Sequence, residues 1–254
     1  MSRIAFIFPG QGAQTCGMGK DFYEQTETGR KVFDRASDLL GFSVPELCFE
    51  PNDRLDITEY TQAAMVTTSI AMMKVLEERG IHPDVAAGLS LGEYGALAAA
   101  GVMELPDLFR IIRMRGIYMQ EAYPEGGAMT AVLGLDGDAV AAICEQTAKE
   151  TGKVVSVANY NCPGQIVITG EADAVEAASE ALKETGAKRC IPLKVSGPFH
   201  SALLKNAGEQ LAEELKSVKL STPWIPYVSN VTADYVTDAS QVAELLKQQV
   251  SSPV

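Results

Sequence analysis

Basic residues, histidines and paired cysteines are what this sequence has little of. Its 254 residues include 21 Lys and Arg against 33 Asp and Glu, with two His, for a formal net charge of -12. A nucleic-acid-binding chain carries a basic face, and an anionic membrane surface repels so acidic a protein, so neither partner is expected. An anionic ligand stays open if a local cation holds it against the overall field. Cys16, Cys48, Cys144, Cys162 and Cys190 are odd in number, scattered, and form no C-x-x-C pair. They read as reduced thiols of a cytoplasmic protein rather than a disulfide framework or a zinc site. With so few histidines, no metal site and no cofactor are expected. No apolar run is long enough to span a membrane, and RIAFIF near the start is too brief for the core of a secretory signal. Repeats and low-complexity tracts are absent. Aromatics make up only 7% while hydrophobic residues reach 46%. Together with abundant Gly and Ala, that fits helices packed closely on a sheet, not a β-sandwich.

What is present alternates between strand-like and helical segments. RIAFIF (3–8), closed by Pro-Gly, predicts a strand buried on both faces, as in a parallel sheet. A glycine-rich loop, GQGAQTCGMGK, follows it. Helices are expected over roughly 20–40, 61–79, the stretch after VAAGLS (85–90), and 106–123. After Gly126-Gly127 the pattern becomes strand 128–135, helix 137–150, the strands VVSVAN and QIVITG, helix 173–186 and strand 188–195. That order is the split βαβ of ferredoxin-like domains. A helix at 200–218, the strand-like WIPYVSNVTA and a helix near 239–250 complete the chain. The expected architecture is α/β: an α/β-hydrolase-like catalytic domain with a parallel sheet, from 1–126 and 197–254, and a ferredoxin-like insert at 127–196.

One stretch carries chemistry. AGLSLGEYGA (87–96) places Ser90 between Gly88 and Gly92, in the G-x-S-x-G pattern of a nucleophile elbow between strand and helix. The small flanks admit a tight, strained turn, and the hydroxyl then faces outward at a helix N-terminus, where N–H groups favour a developing oxyanion. Ser90-x-x-Glu93 equally fits a capping box, which is a commoner device, and the two readings are compatible. A serine nucleophile needs a base. His82, in the turn GIHPD, reads as solvated or capping; His200, in KVSGPFHSA, is the better candidate by elimination. No Asp or Glu announces itself as the group that orients the base, and a backbone carbonyl could serve.

Arg115 is the second anomaly. Its helical neighbours Ile111, Ile112, Tyr118 and Met119 put it on an apolar stripe, whereas Arg110 faces polar residues. A cation there calls for an anionic partner: a structural ion pair, or a planar fork for a substrate carboxylate. Gly10-x-Gly12 lacks the third glycine of a dinucleotide loop, and GMGKD lacks the hydroxyl of a P-loop. A glycine turn that sets a backbone N–H beside the elbow fits GQGAQ better.

Taken together, these motifs resemble the malonyl-CoA:acyl-carrier-protein transacylase family. The likeness runs in order through GQGAQ, TQAA (61–64), GLSLGEY, RMRGIYMQ, GAM (127–129), NYNCPGQIVITG (159–170), GPFHS and QQVSSPV. It implies ping-pong transfer of a malonyl group from malonyl-CoA, through a Ser90 ester, to the phosphopantetheine thiol of an acyl-carrier protein. His200 would be the general base and acid, and Gln249 its support through the main-chain carbonyl. Arg115 would bind the malonyl carboxylate, and the N–H groups of Gln11 and Leu91 would form the oxyanion hole. Phe199 would exclude α-branched acyl groups, and Asn161 lies in a motif lining the cleft. Malonyl-CoA is then a substrate and the carrier protein a transient partner of a monomeric enzyme. Lys188, Arg189, Lys194 and Lys205 are the candidate patch for that acidic carrier.

Two features depart from the family pattern. Leu89 stands where many members have histidine. The family also continues past the SPV segment with another strand and a terminal helix, so the catalytic domain is expected to lack that piece here. The rival readings are a serine esterase or thioesterase using the same elbow, and a non-catalytic module that binds carrier protein. A nucleotide-binding protein using the Gly10 loop is a third.

Overall fold

The computed structural model describes residues 3–195 and 197–254. The chain forms two compact units, Met1–Ile117 with Leu211–Leu245 and Tyr118–Gln210 with Leu246–Val254. The expected insert, 127–196, lies within the second unit, which also takes in the chain to Gln210 and the C-terminal segment.

In the first unit, β1 (Ala5–Phe8) is followed by α1 (Lys20–Gln25), α2 (Glu27–Leu40), α3 (Val44–Phe49) and α4 (Thr58–Glu78). Next come β2 (Val85–Gly88), α5 (Gly92–Ala99) and α6 (Leu105–Ala122), whose residues from Tyr118 on belong to the second unit. Helix α2 starts where Thr26 Oγ1 accepts from the Gly29 N–H, and stops at Gly41, whose φ of 76° suits glycine. Helix α4 is buried on most sides, yet among the described residues no helix is long and apolar enough to cross a membrane. The sheet has the order β1-β2-β7-β8, with β7 (Tyr227–Val228) and β8 (Tyr235–Val236) both short. β1, β2 and β7 run parallel, and β8 is antiparallel to β7. The fold is therefore mixed α/β around a parallel sheet.

The first strand corrects one expectation. β1 lies at the edge of its sheet, and one of its faces is open: Phe8 is buried while Ile7 is 78% exposed. A continuous apolar run cannot tell a central strand from an edge strand, because both are written in the same residues. Phe8 packs on α5 so closely that a Cβ on Gly95 would lie 2.5 Å from its ring.

The turn from β2 into α5 is tighter still. A Cβ on Gly88 would enter the backbone of Gly92 and Glu93, and one on Gly92 would enter the backbone of Phe8 and Pro9. Neither obstacle is a flexible side-chain tip. Gly88→Ala is therefore expected to destabilise the protein by about 2–3 kcal/mol, lowering the midpoint of thermal unfolding by on the order of 5–10 °C. A calorimetric scan that left the midpoint unchanged would show that the turn has slack.

In the second unit, β3 (Gly127–Leu133), α7 (Gly137–Thr151), β4 (Val155–Cys162), β5 (Gln165–Glu171), α8 (Ala172–Glu184) and β6 (Arg189–Pro192) follow one another. The sheet order is β4-β5-β3-β6 with every pair antiparallel. Val132, Val140, Val155, Val157, Ile166, Ile168, Val175 and Leu182 supply its core. The chain also forms α9 (Lys205–Leu215) and α10 (Val242–Gln249), each preceded by a 3-10 turn, Ala202–Leu204 and Ala239–Gln241, and each crossing the division between the units. Val254 ends the described chain on β4, accepting from the Tyr160 N–H at 2.8 Å and donating to the Ala158 carbonyl at 2.9 Å.

All five cysteines are free. Burial pushes the Cys48 and Cys144 thiols up to about 12, whereas Cys16 and Cys162 are exposed. At neutral pH a maleimide should therefore label Cys16 and Cys162 long before Cys48 and Cys144. Peptide mapping of a short native-state reaction checks this, and early label on either buried thiol would contradict it.

Candidate active site

Ser90 stands midway between the last residue of β2, Gly88, and the first of α5, Gly92, with φ at 55°. Residues other than glycine adopt that left-handed region only where their surroundings impose it. Steric closeness explains how the imposition works: Gly88 and Gly92 let the backbone fold on itself, and Gly10 presses on the far side. A Cβ on Gly10 would lie 2.9 Å from the Leu89 carbonyl oxygen. The GQGAQ turn thus stands beside the elbow, as its glycines predict. Gln11 lies in this turn and donates from Nε2 to Thr58 Oγ1 at 3.3 Å.

The capping-box alternative does not form. The N-cap of α5 is Leu91, and no side chain caps the helix. Ser90 Oγ instead accepts from Arg115 Nη2 at 3.1 Å. Arg115 Nη1 donates to Gln62 Oε1 at 2.7 Å, and the guanidinium carbon lies 5.6 Å from the centre of the Tyr94 ring. Arg115 is 1% exposed. Burial lowers its affinity for a proton, and Tyr94 and Glu93 work in the opposite direction; guanidinium keeps its charge even so. The arrangement is a desolvated planar cation, steered by Gln62 from α4, with one nitrogen on the candidate nucleophile. Arg110, by contrast, is half-exposed and paired with Glu214 at 2.6 Å, the polar setting its neighbours predict.

Glu93 is fully buried, and its Oε2 accepts from the Asn230 N–H at 3.2 Å. Burial also holds the Tyr94 and Tyr227 hydroxyls well above the usual phenol range, with Glu93 adding to the effect. Both stay protonated at physiological pH.

In the second unit, His200 is 4% exposed and also has a positive φ, 60°. Its Nδ1 lies 2.8 Å from the main-chain oxygen of Gln249. A carbonyl can only accept, so Nδ1 carries the hydrogen and Nε2 keeps the lone pair that a base needs. Gln249 is the last residue of α10, and its carbonyl is one of those a helix leaves without an intrahelical partner. Fixing the Nδ1 hydrogen is the service a carboxylate gives elsewhere, supplied by backbone. Phe199 is buried beside it, and Ser201 Oγ closes the Pro198–Ser201 turn with a bond of 2.7 Å to the Pro198 carbonyl.

Within the first unit the structure thus gathers Ser90, Leu91, Arg115 and the Gln11 turn; within the second it pairs His200 with Gln249. Asn161 lies on β4, exposed, where the pairing with β5 slips its register. His82 and Leu89 are exposed. Lys188, Arg189, Lys194 and Lys205 are exposed too. Gln62 and Asn230 are the contributors that carry no chemical signature in the sequence. TQAA marks Gln62 only as part of an apolar helix, and SNV reads as the end of a strand. Among the described residues no cluster of His, Cys, Asp and Glu could hold a metal ion.

Comparison with known proteins extends these observations. The model of the acyl transferase domain family matches residues 5–254. The malonyl CoA-acyl carrier protein transacylase of Bacillus subtilis is 48% identical over all of this chain, which spans 80% of that relative. The crystal structure of an acyl carrier protein S-malonyltransferase from Vibrio cholerae superposes with a TM-score of 0.95 at 42% identity, covering 100% of this chain and 83% of that one. A malonyl-transacylase solved in complex with its type II PKS acyl-carrier protein gives 0.96 at 41% identity, covering 100% and 82%.

Proposed function

The chain belongs to the acyl transferase family that contains the malonyl-CoA:acyl-carrier-protein transacylases, and from that premise we propose a two-step malonyl transfer through Ser90. In the first step Ser90 Oγ gives its proton to His200 Nε2 and attacks the thioester carbon of malonyl-CoA. The N–H groups of Gln11 and Leu91 take the charge that develops on the carbonyl oxygen. The tetrahedral adduct collapses, the C–S bond breaks, and the imidazolium returns its proton to the departing CoA sulfur. In the second step the carrier's phosphopantetheine thiol gives a proton to His200 and attacks the Ser90 ester. Ser90 recovers its proton as the malonyl thioester leaves. No cofactor takes part.

The observation that carries this reading is the Arg115 nitrogen 3.1 Å from Ser90 Oγ. In a malonyl thioester one methylene separates the carboxylate from the carbon under attack. A buried fork beside the nucleophile meets that geometry, and the substrate's charge compensates the desolvated cation. An esterase acting on neutral acyl groups has no use for it. Phe199 limits branching at the methylene, and Asn161 contributes to substrate contact.

The order β4-β5-β3-β6, all antiparallel, with α7 and α8 on the crossovers, supports a ferredoxin-like insert. The parallel strands and the elbow support an α/β-hydrolase-like catalytic domain. Lys188, Arg189, Lys194 and Lys205 offer an acidic carrier protein a local positive surface on a protein of net charge -12. We place the enzyme in the cytoplasm as a monomer.

Intact-mass measurement after brief mixing with malonyl-CoA tests the proposal. One malonyl group on Ser90, discharged by holo carrier protein, is the expected result. Release of free malonate faster than transfer would make the protein a thioesterase; no adduct on folded protein would make it a binding module.

A further inference from the structure

We propose that Asn230 is a positioning residue for the nucleophile, an inference that rests on the transacylase reading for its substrate but on the elbow alone for its geometry. β7 pairs with β2 through Ala86 and Tyr227, and the Ala86 N–H reaches the Pro226 carbonyl at 3.2 Å. Just beyond, β7 ends. The chain turns through Ser229–Asp234 into β8, with the Ser229 N–H on the Asp234 carbonyl and the Ala233 N–H on the Ser229 carbonyl. The backbone that would have continued the parallel ladder is therefore spent on its own turn. On the β2 side, two groups are left facing that gap, the Gly88 carbonyl and the Ser90 N–H.

The Asn230 side chain occupies the gap. Its Nδ2 donates to the Gly88 carbonyl at 2.6 Å, and its Oδ1 accepts from the Ser90 N–H at 2.6 Å. A residue in a parallel ladder opposite Leu89 would donate its N–H to residue 88 and accept at its C=O from residue 90, so the carboxamide supplies the donor and the acceptor that one residue of a continuing strand would supply. On the other side the Leu89 N–H donates to the Phe8 carbonyl at 3.0 Å. The elbow is thus held by β1 on one flank and by a side chain imitating β7 on the other. Asn230 is itself anchored by its own N–H on the buried Glu93 carboxylate. The orientation of the amide is dictated, because a carbonyl only accepts and an N–H only donates.

This clamp fixes the residue whose φ is 55°. A left-handed serine opens toward ordinary backbone angles when its N–H is released, and Oγ then swings away from Arg115. Alanine at 230 removes both bonds. Aspartate keeps an acceptor for the Ser90 N–H, loses the donor to Gly88, and sets a second carboxylate near Glu93. Misplacement of a reacting atom by about 1 Å costs on the order of 100-fold in rate, and that is the loss expected for Asn230→Ala.

The experiment follows Ser90 in the native protein, N230A and N230D by rapid-quench intact mass, using malonyl-CoA and, separately, a fluorophosphonate. The latter is a small serine reagent that makes no use of the Arg115 fork. Rates are taken per folded molecule, with Val140→Ala in the core of the second unit as a variant that lowers stability without touching the elbow. The expected result is a roughly 100-fold slower malonylation of N230A with KM for malonyl-CoA unchanged, a parallel loss with the fluorophosphonate, and N230D in between. V140A keeps the native rate per folded molecule. If N230A does not fold, N230D carries the same comparison. Native rates per folded molecule in the Asn230 variants, or a raised KM at native kcat, would overturn the proposal. If the native protein reacts with the fluorophosphonate but not with malonyl-CoA, the transacylase reading fails, while the probe still tests Asn230.

Discussion

Ser90→Ala should abolish the malonyl adduct and lower transfer to carrier protein by roughly 10⁴-fold or more, the scale seen when a nucleophile is removed from an assembled site. The variant should fold. Alanine has the same Cβ as serine, so the strain at φ 55° is unchanged. The bond from Arg115 Nη2 is lost, with Nη1 still held by Gln62. That loss is worth about 1–2 kcal/mol of stability at most. The decisive measurement is peptide mapping after exposure to malonyl-CoA. An adduct of undiminished yield on S90A, wherever it maps, would show that the elbow serine is not the acyl carrier.

Arg115→Ala should separate acyl groups by charge. With malonyl-CoA, kcat/KM should fall on the order of 10²–10³-fold, the cost of taking away the partner of a desolvated carboxylate. With acetyl-CoA, which has no carboxylate to place, the change should be small. Discrimination between the two thus collapses, and this ratio identifies the role better than either rate alone. Arg115→Lys should fall between, because a single ammonium cannot reach both the Gln62 and Ser90 oxygens in the planar geometry that the guanidinium uses. Equal losses with both thioesters would assign Arg115 to the nucleophile and not to the acyl group. Circular dichroism must accompany the kinetics, since Arg115 also interacts electrostatically with buried Glu93 and Tyr94.

The order of most elements was legible from periodicity, but the helix expected over 20–40 is two, α1 and α2, α3 was not foreseen, and the strand expected in WIPYVSNVTA is the pair β7 and β8. β1 was legible as a strand but not as an edge, since its run of apolar residues says nothing about how many neighbours it has. The elbow was legible because its chemistry requires absent side chains at fixed spacing, and Gly88 and Gly92 stand where any Cβ would strike backbone. Arg115 was legible as a contradiction, a cation on an apolar face. The capping box was a false reading of Ser90 and Glu93: a short motif cannot reveal that an arginine and an asparagine from distant segments compete for the same groups.

By itself, then, the sequence determined where the strained turn falls and which helix carries a cation on its apolar face, and it offered no motif naming a carboxylate to orient His200. The tertiary structure alone decided what fills those openings. The main-chain oxygen that takes His200 Nδ1 belongs to a residue 49 positions away. The carboxamide that holds the elbow comes from 140 positions beyond Ser90. The physical reason is common to both. A backbone carbonyl is the same for every residue type, and an asparagine at the end of a strand looks like any turn residue. Such groups acquire a role only when the fold sets them against an unsatisfied donor or acceptor, and a one-dimensional pattern does not record that meeting.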